Sequence, residues 1–134
     1  MKTSEKIKSL RLPIGGYVVI GSALMEELGI RKAVDIDISV TEELFNSLRS
    51  SNAWREETRY GKIFLKKDNV EINSELSWQE YKTTTLDAIQ SATFIDGVPY
   101  MNIEELKKFK KALGRKKDFK DIELLISYQA KENN

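Results

Sequence analysis

The 134-residue sequence contains no cysteine and no histidine. The first absence excludes a disulfide frame, a zinc–thiolate site and a thiol nucleophile. The second excludes Ser-His-Asp chemistry and imidazole-ligated metals, leaving carboxylates as the ligands a hard cation would use. Only two prolines and seven glycines punctuate the chain, and none cluster into a linker. Residues 1–134 therefore read as one domain. The formal net charge is +1, so no global field draws the protein toward nucleic acid or a membrane. Electrostatic function has to come from local clusters. No apolar run approaches the roughly 20 residues that span a bilayer. Met1-Lys2-Thr3-Ser4-Glu5-Lys6 lacks the apolar stretch of a secretory signal. The expectation is a cytoplasmic protein with no membrane partner.

What is present is a set of short periodic segments. Tyr17-Val18-Val19-Ile20 is a continuous apolar run between Gly16 and Gly21, the pattern of a strand buried on both faces. Ser22 is placed to cap a short helix over 23–28, ended by Gly29. Residues 34–40 alternate strictly. Val34, Ile36, Ile38 and Val40 share one face, and Asp35, Asp37 and Ser39 the other, as in a strand with one face in the core. Thr41 then caps a helix carrying Glu42 and Glu43 in its first turn, with Leu44, Phe45 and Leu48 inward. Strands are expected over 62–67 and 70–76, joined at Lys67-Asp68-Asn69, and another over 92–95 before an Asp96-Gly97 turn. Asn102 and Glu105 have capping-box spacing. They open a helix with Ile103, Leu106, Phe109 and Leu113 on one stripe, closed by Gly114. A last helix over 117–129 is expected to bury Phe119, Ile122, Leu125 and Ile126. The tail 131–134 is expected to fray, and a short helix through Ile7 and Leu10 to precede the first strand. The fold class is α/β (α+β): a mixed sheet of about four to six strands with helices packed mainly on one face.

Alternation puts Asp35 and Asp37 about 7 Å apart on one face. Carboxylates that close repel unless a cation sits between them, and magnesium accepts one or two carboxylates plus phosphate oxygens. Glu71 projects similarly from the second hairpin strand. If that strand neighbours the first, three acids converge in the manner of phosphoryl-transfer sites. The plainer reading is that acids occupy the wet face of a half-buried sheet. Gly21-Ser22 sits where a buried strand turns into a helix, offering close backbone approach, a hydroxyl and free amides to phosphate. Lys110, Arg115 and Lys117 flank the helix-ending Gly114. They read either as phosphate ligands or as partners of Asp118, Asp121 and Glu123 that tie the last two helices together. Trp54 and Trp78 read as packing or as stacking surfaces for a base. Lys107, Lys108, Lys110 and Lys111 form a basic helix face.

The run Val19-Ile20-Gly21-Ser22, followed by Gly29-Ile30-Arg31-Lys32-Ala33-Val34-Asp35-Ile36-Asp37-Ile38, resembles the signature of the nucleotidyltransferase superfamily, which has the polymerase-beta-like fold. There a Gly-Gly or Gly-Ser turn precedes a hydrophobic-Asp-hydrophobic-Asp/Glu strand, and a third acid follows later, where this chain has Val70-Glu71-Ile72. Leu113-Gly114-Arg115-Lys116-Lys117-Asp118 with Asp121 is similar to a late motif of the minimal members related to abortive-infection (AbiEii-like) proteins. Arg31-Lys32-Ala33-Val34-Asp35 departs from their Arg-x-Thr-x-Asp at Ala33, and Glu71 stands where aspartate is usual. The resemblance implies metal-dependent transfer of a nucleoside monophosphate from a nucleoside triphosphate such as ATP to an unknown acceptor. Asp35, Asp37 and Glu71 would be catalytic and hold Mg2+ or Mn2+, with Glu71 taking the acceptor's proton. Gly21, Ser22, Arg31, Lys110, Arg115 and Lys117 would bind nucleotide. Many relatives add a helical domain, so a homodimer or a protein partner is expected to complete the pocket. The alternatives are a non-catalytic or antitoxin-like subunit of this fold, as in toxin-antitoxin pairs, and a regulatory nucleotide-binding protein.

Overall fold

The structure is a computed structural model describing residues 2–133. Thirteen elements follow one another: α1 (Thr3–Lys8), β1 (Tyr17–Ile20), α2 (Ala23–Glu27), β2 (Ile36–Val40), α3 (Glu42–Ser50), β3 (Arg55–Arg59), β4 (Lys62–Lys67), β5 (Val70–Asn73), α4 (Thr85–Gln90), β6 (Thr93–Ile95), β7 (Val98–Tyr100), α5 (Ile103–Leu113) and α6 (Lys116–Glu132). The strands form one mixed sheet in the order β3-β4-β5-β2-β1-β7-β6. β1 runs antiparallel to β2 and parallel to β7, and β2 runs parallel to β5. The apolar run of β1 is thus internal and beside β2. All four of its residues are buried, as expected of a strand covered on both faces.

Register decides which side chains meet, because directly paired residues project to the same face. Ile20 pairs with Asp37 and Val18 with Ser39 across β1 and β2, while Asp37 pairs with Glu71 and Ser39 with Asn73 across β2 and β5. Glu71 in turn pairs with Lys66 of β4. One face of the sheet centre therefore carries the acids, and the other carries Val19, Ile38, Val40, Leu65 and Ile72, all inaccessible to solvent. α1 sits on the apolar face, where Ser4 and Tyr100 share a 2.7 Å hydroxyl hydrogen bond. Thr85 at the start of α4 reaches the acid face and meets the Ser39 hydroxyl at 2.8 Å.

Several elements form for the expected local reasons. Thr41 accepts a hydrogen bond from the Leu44 amide, and Asn102 accepts one from the Glu105 amide. The β4–β5 turn is Asp68-Asn69, with Asp68 left-handed at φ 54°. Asp96-Gly97 turns β6 into β7. Gly29 and Gly114 take left-handed φ at helix ends, as a residue without Cβ does at no steric cost.

Other expectations are corrected. The sheet has seven strands, because β3 and β7 escape the apolar patterns: β3 reads Arg-Glu-Glu-Thr-Arg, a wet edge strand, and β7 is three residues long. β2 begins at Ile36, so Val34, 84% exposed, and Asp35 lie before the strand. β5 ends at Asn73, leaving Leu76 buried in the following loop. Glu105 does not complete a capping box, since its carboxylate accepts from Tyr81 and Lys108 instead. α6 turns a different stripe inward: Phe119 and Ile126 are 50% and 52% exposed, and the buried residues are Asp118, Asp121 and Leu125. Two aspartates face inward because Asp121 holds Arg31 and Lys110 from other elements and Asp118 holds Arg115 at the N-cap of α6 itself. α6 also continues to Glu132, so the tail is helical up to that point, while Asn134 lies outside the described residues. Among the described residues no helix is long and apolar enough to cross a membrane.

Candidate active site

The site is built where the C-terminal end of β1 lies beside the N-terminal ends of β2 and β5. β1 ends at Ile20, directly opposite Asp37. Gly21 then takes φ 75° and turns the chain into α2. A Cβ at Gly21 would lie 3.0 Å from the Asp37 Oδ2, so the carboxylate occupies the space a side chain would fill. Asp37 and Glu71 are register partners on the same face. Burial, then the charges of Glu71 and Asp35, raise the Asp37 carboxyl from 3.8 to about 6. Lys110 and Arg59 pull it the other way without winning. Asp35 thus adds its field from the exposed segment before β2, although the strand itself does not carry it.

Glu71 is not free. It forms an ion pair with Arg59 of β3, and Lys66 of β4 stands 3.8 Å away. Arg59 also lies 3.1 Å from Glu57 through Nε and 4.3 Å above the Phe64 ring. Among the described residues no three acidic side chains close into a group spaced for a metal ion. Asp37 and Glu71 are brought together, Asp35 is near enough to be felt, and Arg59 holds Glu71.

Ser22 does something other than capping. No hydrogen bond from the α2 backbone reaches its side chain. Its Oγ instead accepts from Arg31 Nη2 at 2.7 Å and from Lys110 Nζ at 3.2 Å. Both lone pairs are then occupied, and the hydroxyl hydrogen remains for an acceptor outside this cluster. The same two cations converge on Asp121 of α6. Arg31 donates to its two oxygens at 2.7 Å each, and Lys110, only 3% exposed, donates at 2.9 Å. Burial would raise the Asp121 carboxyl, but the hydrogen bonds and charges of Arg31 and Lys110 leave it lowered. Arg31, a residue of the loop before β2, is thereby tied to the last helix.

The remaining basic residues divide. Arg115 donates from its backbone and its guanidinium to Asp118, with the shortest contact 2.6 Å, at the N-terminus of α6. That hydrogen bonding raises the Arg115 pKa, burial opposes it, and the charges of Asp118 and Asp37 add to the rise. Arg115 is therefore a helix-terminal clasp that also lies in the field of the acid site. Lys117 is exposed. The basic face expected on α5 is not continuous: Lys107 pairs with Glu104, Lys108 with Glu105, and Lys110 turns inward. Trp54 packs partly against the core, and Trp78 meets Tyr60 edge-on at 5.0 Å, with Lys62 5.8 Å from its ring.

Sequence reasoning missed Arg59. Its strand has no apolar residue to mark it, but the Arg59 spacing across a Tyr60-Gly61 turn to Lys62 was the available signal. Compared with protein-family models, curated proteins and solved structures, the chain finds no match in any of the three.

Proposed function

We propose that this protein is a metal-dependent nucleotidyltransferase that moves a nucleoside monophosphate from a nucleoside triphosphate to an acceptor in the cytoplasm. The observation that carries the reading is the pairing of Asp37 with Glu71 on one face, against a glycine turn whose missing side chain leaves room only for the Asp37 carboxylate. Carboxylates alone, with the inner one raised by burial and then by the negative charge of its neighbours, are the donor chemistry of a hard divalent cation. Asp37 and Glu71, assisted by Asp35, would hold Mg2+ or Mn2+, which supplies positive charge for the α-phosphate and the departing pyrophosphate.

The chain's own residues have separable tasks. Gly21 lets the Asp37 carboxylate pack against the turn between β1 and α2. Ser22 donates its remaining hydrogen to a phosphate oxygen, and Arg31 and Lys110 fix the direction of that donor from behind. Glu71, released from Arg59, takes the acceptor's proton. Arg115 and Lys117 lie at the start of α6, where their positive charge favours a polyanion. The test is incubation with labelled nucleoside triphosphates and manganese, alone and with co-purifying proteins. Labelled acceptor or labelled protein in the wild type, absent in Asp37→Asn, is the expected outcome. No transfer under either condition removes the enzymatic reading.

A second reading has one specific observation in its favour. Arg31, Lys110, Arg115 and Arg59 each already hold an acid of this chain. A non-catalytic subunit of the same fold, acting through a protein partner as in toxin-antitoxin pairs, would need no cation kept for phosphate. Absence of transfer together with a stable complex on co-purification would select it.

A further inference from the structure

We propose that Arg59 is a built-in counter-cation of the acid site, holding Glu71 until a divalent ion displaces it and thereby setting the affinity and selectivity of metal uptake. The inference rests on the metal reading of Asp37 and Glu71 given above. It is carried by the geometry of β3. This edge strand places Arg59 and Glu57 on the acid face, since Arg59 pairs with Lys62 and Glu57 with Phe64, which share that face with Lys66. The Arg59 guanidinium is shared between Glu71 and Glu57. Glu57 also takes Lys66 at 3.5 Å, so the two cations and two acids form a closed square across β3, β4 and β5.

The arrangement is reversible for physical reasons. Arg59 is about a third exposed and stands on an edge strand, so leaving Glu71 moves its head toward water rather than into the core. On leaving it keeps an ion pair with Glu57, 3.1 Å from a buried Nε that makes no hydrogen bond among the described residues, and the cation–π contact with the Phe64 ring. A cation released from one carboxylate into a second has little desolvation to overcome. Arg59 is therefore a positioning residue and touches no reacting atom. A monovalent cation gains too little to displace the Arg59 ion pair from Glu71, whereas a divalent ion gaining Asp37 together with Glu71 does. The pair thus admits a doubly charged ligand and turns away a singly charged one.

The inference assigns opposite signs to two neighbouring residues. Arg59→Gln removes the competitor and should tighten Mn2+ binding at least fivefold in titration calorimetry of the full chain without nucleotide. Glu57→Gln removes the alternative partner, fixes Arg59 on Glu71, and should weaken Mn2+ at least threefold. Lys67→Gln is the control for bulk charge. It removes one positive charge from the same hairpin on the opposite face, and should change Mn2+ affinity less than twofold. Arg59→Lys keeps the charge and loses the fork, and should fall between wild type and Arg59→Gln. Thermal melts confirm that each variant is folded. If wild type binds Mn2+ and Arg59→Gln binds it within twofold, the counter-cation role is wrong and the metal site stands. If Arg59→Gln and Lys67→Gln tighten binding equally, only net charge matters and the role is also wrong. If neither wild type nor Arg59→Gln binds Mn2+, the metal reading falls and this inference with it.

Discussion

Asp37 and Asp121 are both desolvated carboxyls about which cations gather, yet their proton affinities move in opposite directions. Asp121 meets two cations head-on, Arg31 and Lys110, and its carboxyl is lowered despite burial. Asp37 is raised by burial and then by two further acids, the opposing charges of Lys110 and Arg59 do not offset them, and its carboxyl rises to about 6. The first region is a closed account in which every charge is matched, the mark of a clasp that ties α5, α6 and the 30–33 loop. The second holds a carboxyl that is desolvated first and repelled by neighbouring acids second, and among the described residues no cation hydrogen-bonds to it, although Glu71 beside it has Arg59 and Lys66. A region that costs stability in the free protein is where a missing ligand is to be sought.

The largest expected effect would break the clasp. Asp121→Ala leaves Lys110 charged, buried and with only Ser22 as a partner. Removing one member of such a buried pair costs about 3–5 kcal/mol, to be read from chemical denaturation. A loss below about 1 kcal/mol would mean that Lys110 finds water or another acid.

Next in size is the opposite change at the other aspartate. The raised Asp37 carboxyl gives the folded state more bound protons than the unfolded chain. Its cost to stability is absent below about pH 3.8, grows through the interval to about 6, and is complete above it. Asp37→Asn, which removes charge and little volume, should stabilise the metal-free protein at pH 7 by on the order of 1–3 kcal/mol. The gain should vanish near pH 4, where both proteins carry a neutral side chain. Melting curves of the two proteins between pH 4 and 8 measure this, and parallel curves with no pH-dependent gap would reject the raised Asp37 carboxyl. Asp121 contributes with the other sign, because its lowered carboxyl gives stability that is lost as pH falls through the acid range.

A smaller effect sharpens the boundary between the regions. Arg115→Ala removes the guanidinium from Asp118, but the Arg115 backbone amide at 3.1 Å survives the change. Arg115 is also half-exposed, so solvent screens the pair. A loss of about 0.5–1 kcal/mol in thermal or urea unfolding is expected. If nucleoside triphosphate binding falls tenfold with no change in melting, Arg115 belongs to the site rather than to the clasp.

What could be read from the sequence follows the same division. β1, β2, the β4–β5 hairpin and the caps at Thr41 and Asn102 were legible because each rests on a period or a local hydrogen bond. The adjacency of Asp37 and Glu71 followed from alternation once the two strands were neighbours. Asp35 was misplaced because Val34 continues the alternation in sequence, while the chain reaches the sheet only at Ile36. The inward face of α6 was misread for a stronger reason. Phe119 and Ile126 are apolar, but Asp121 has a partner as far away in sequence as Arg31, and no local pattern reports a pairing over 90 residues. β3 and Arg59 stayed hidden because an all-polar edge strand carries no hydrophobic signal.

The central claim is that the repulsion at Asp37 and Glu71 exists for a divalent cation. Titration calorimetry of Mn2+ into wild type and Asp37→Asn at pH 7 tests it most directly. Wild type should bind, and Asp37→Asn should bind at least tenfold more weakly, a difference of about 1.4 kcal/mol, while remaining as folded as wild type or more so. Equal Mn2+ affinity in the two proteins would contradict the account.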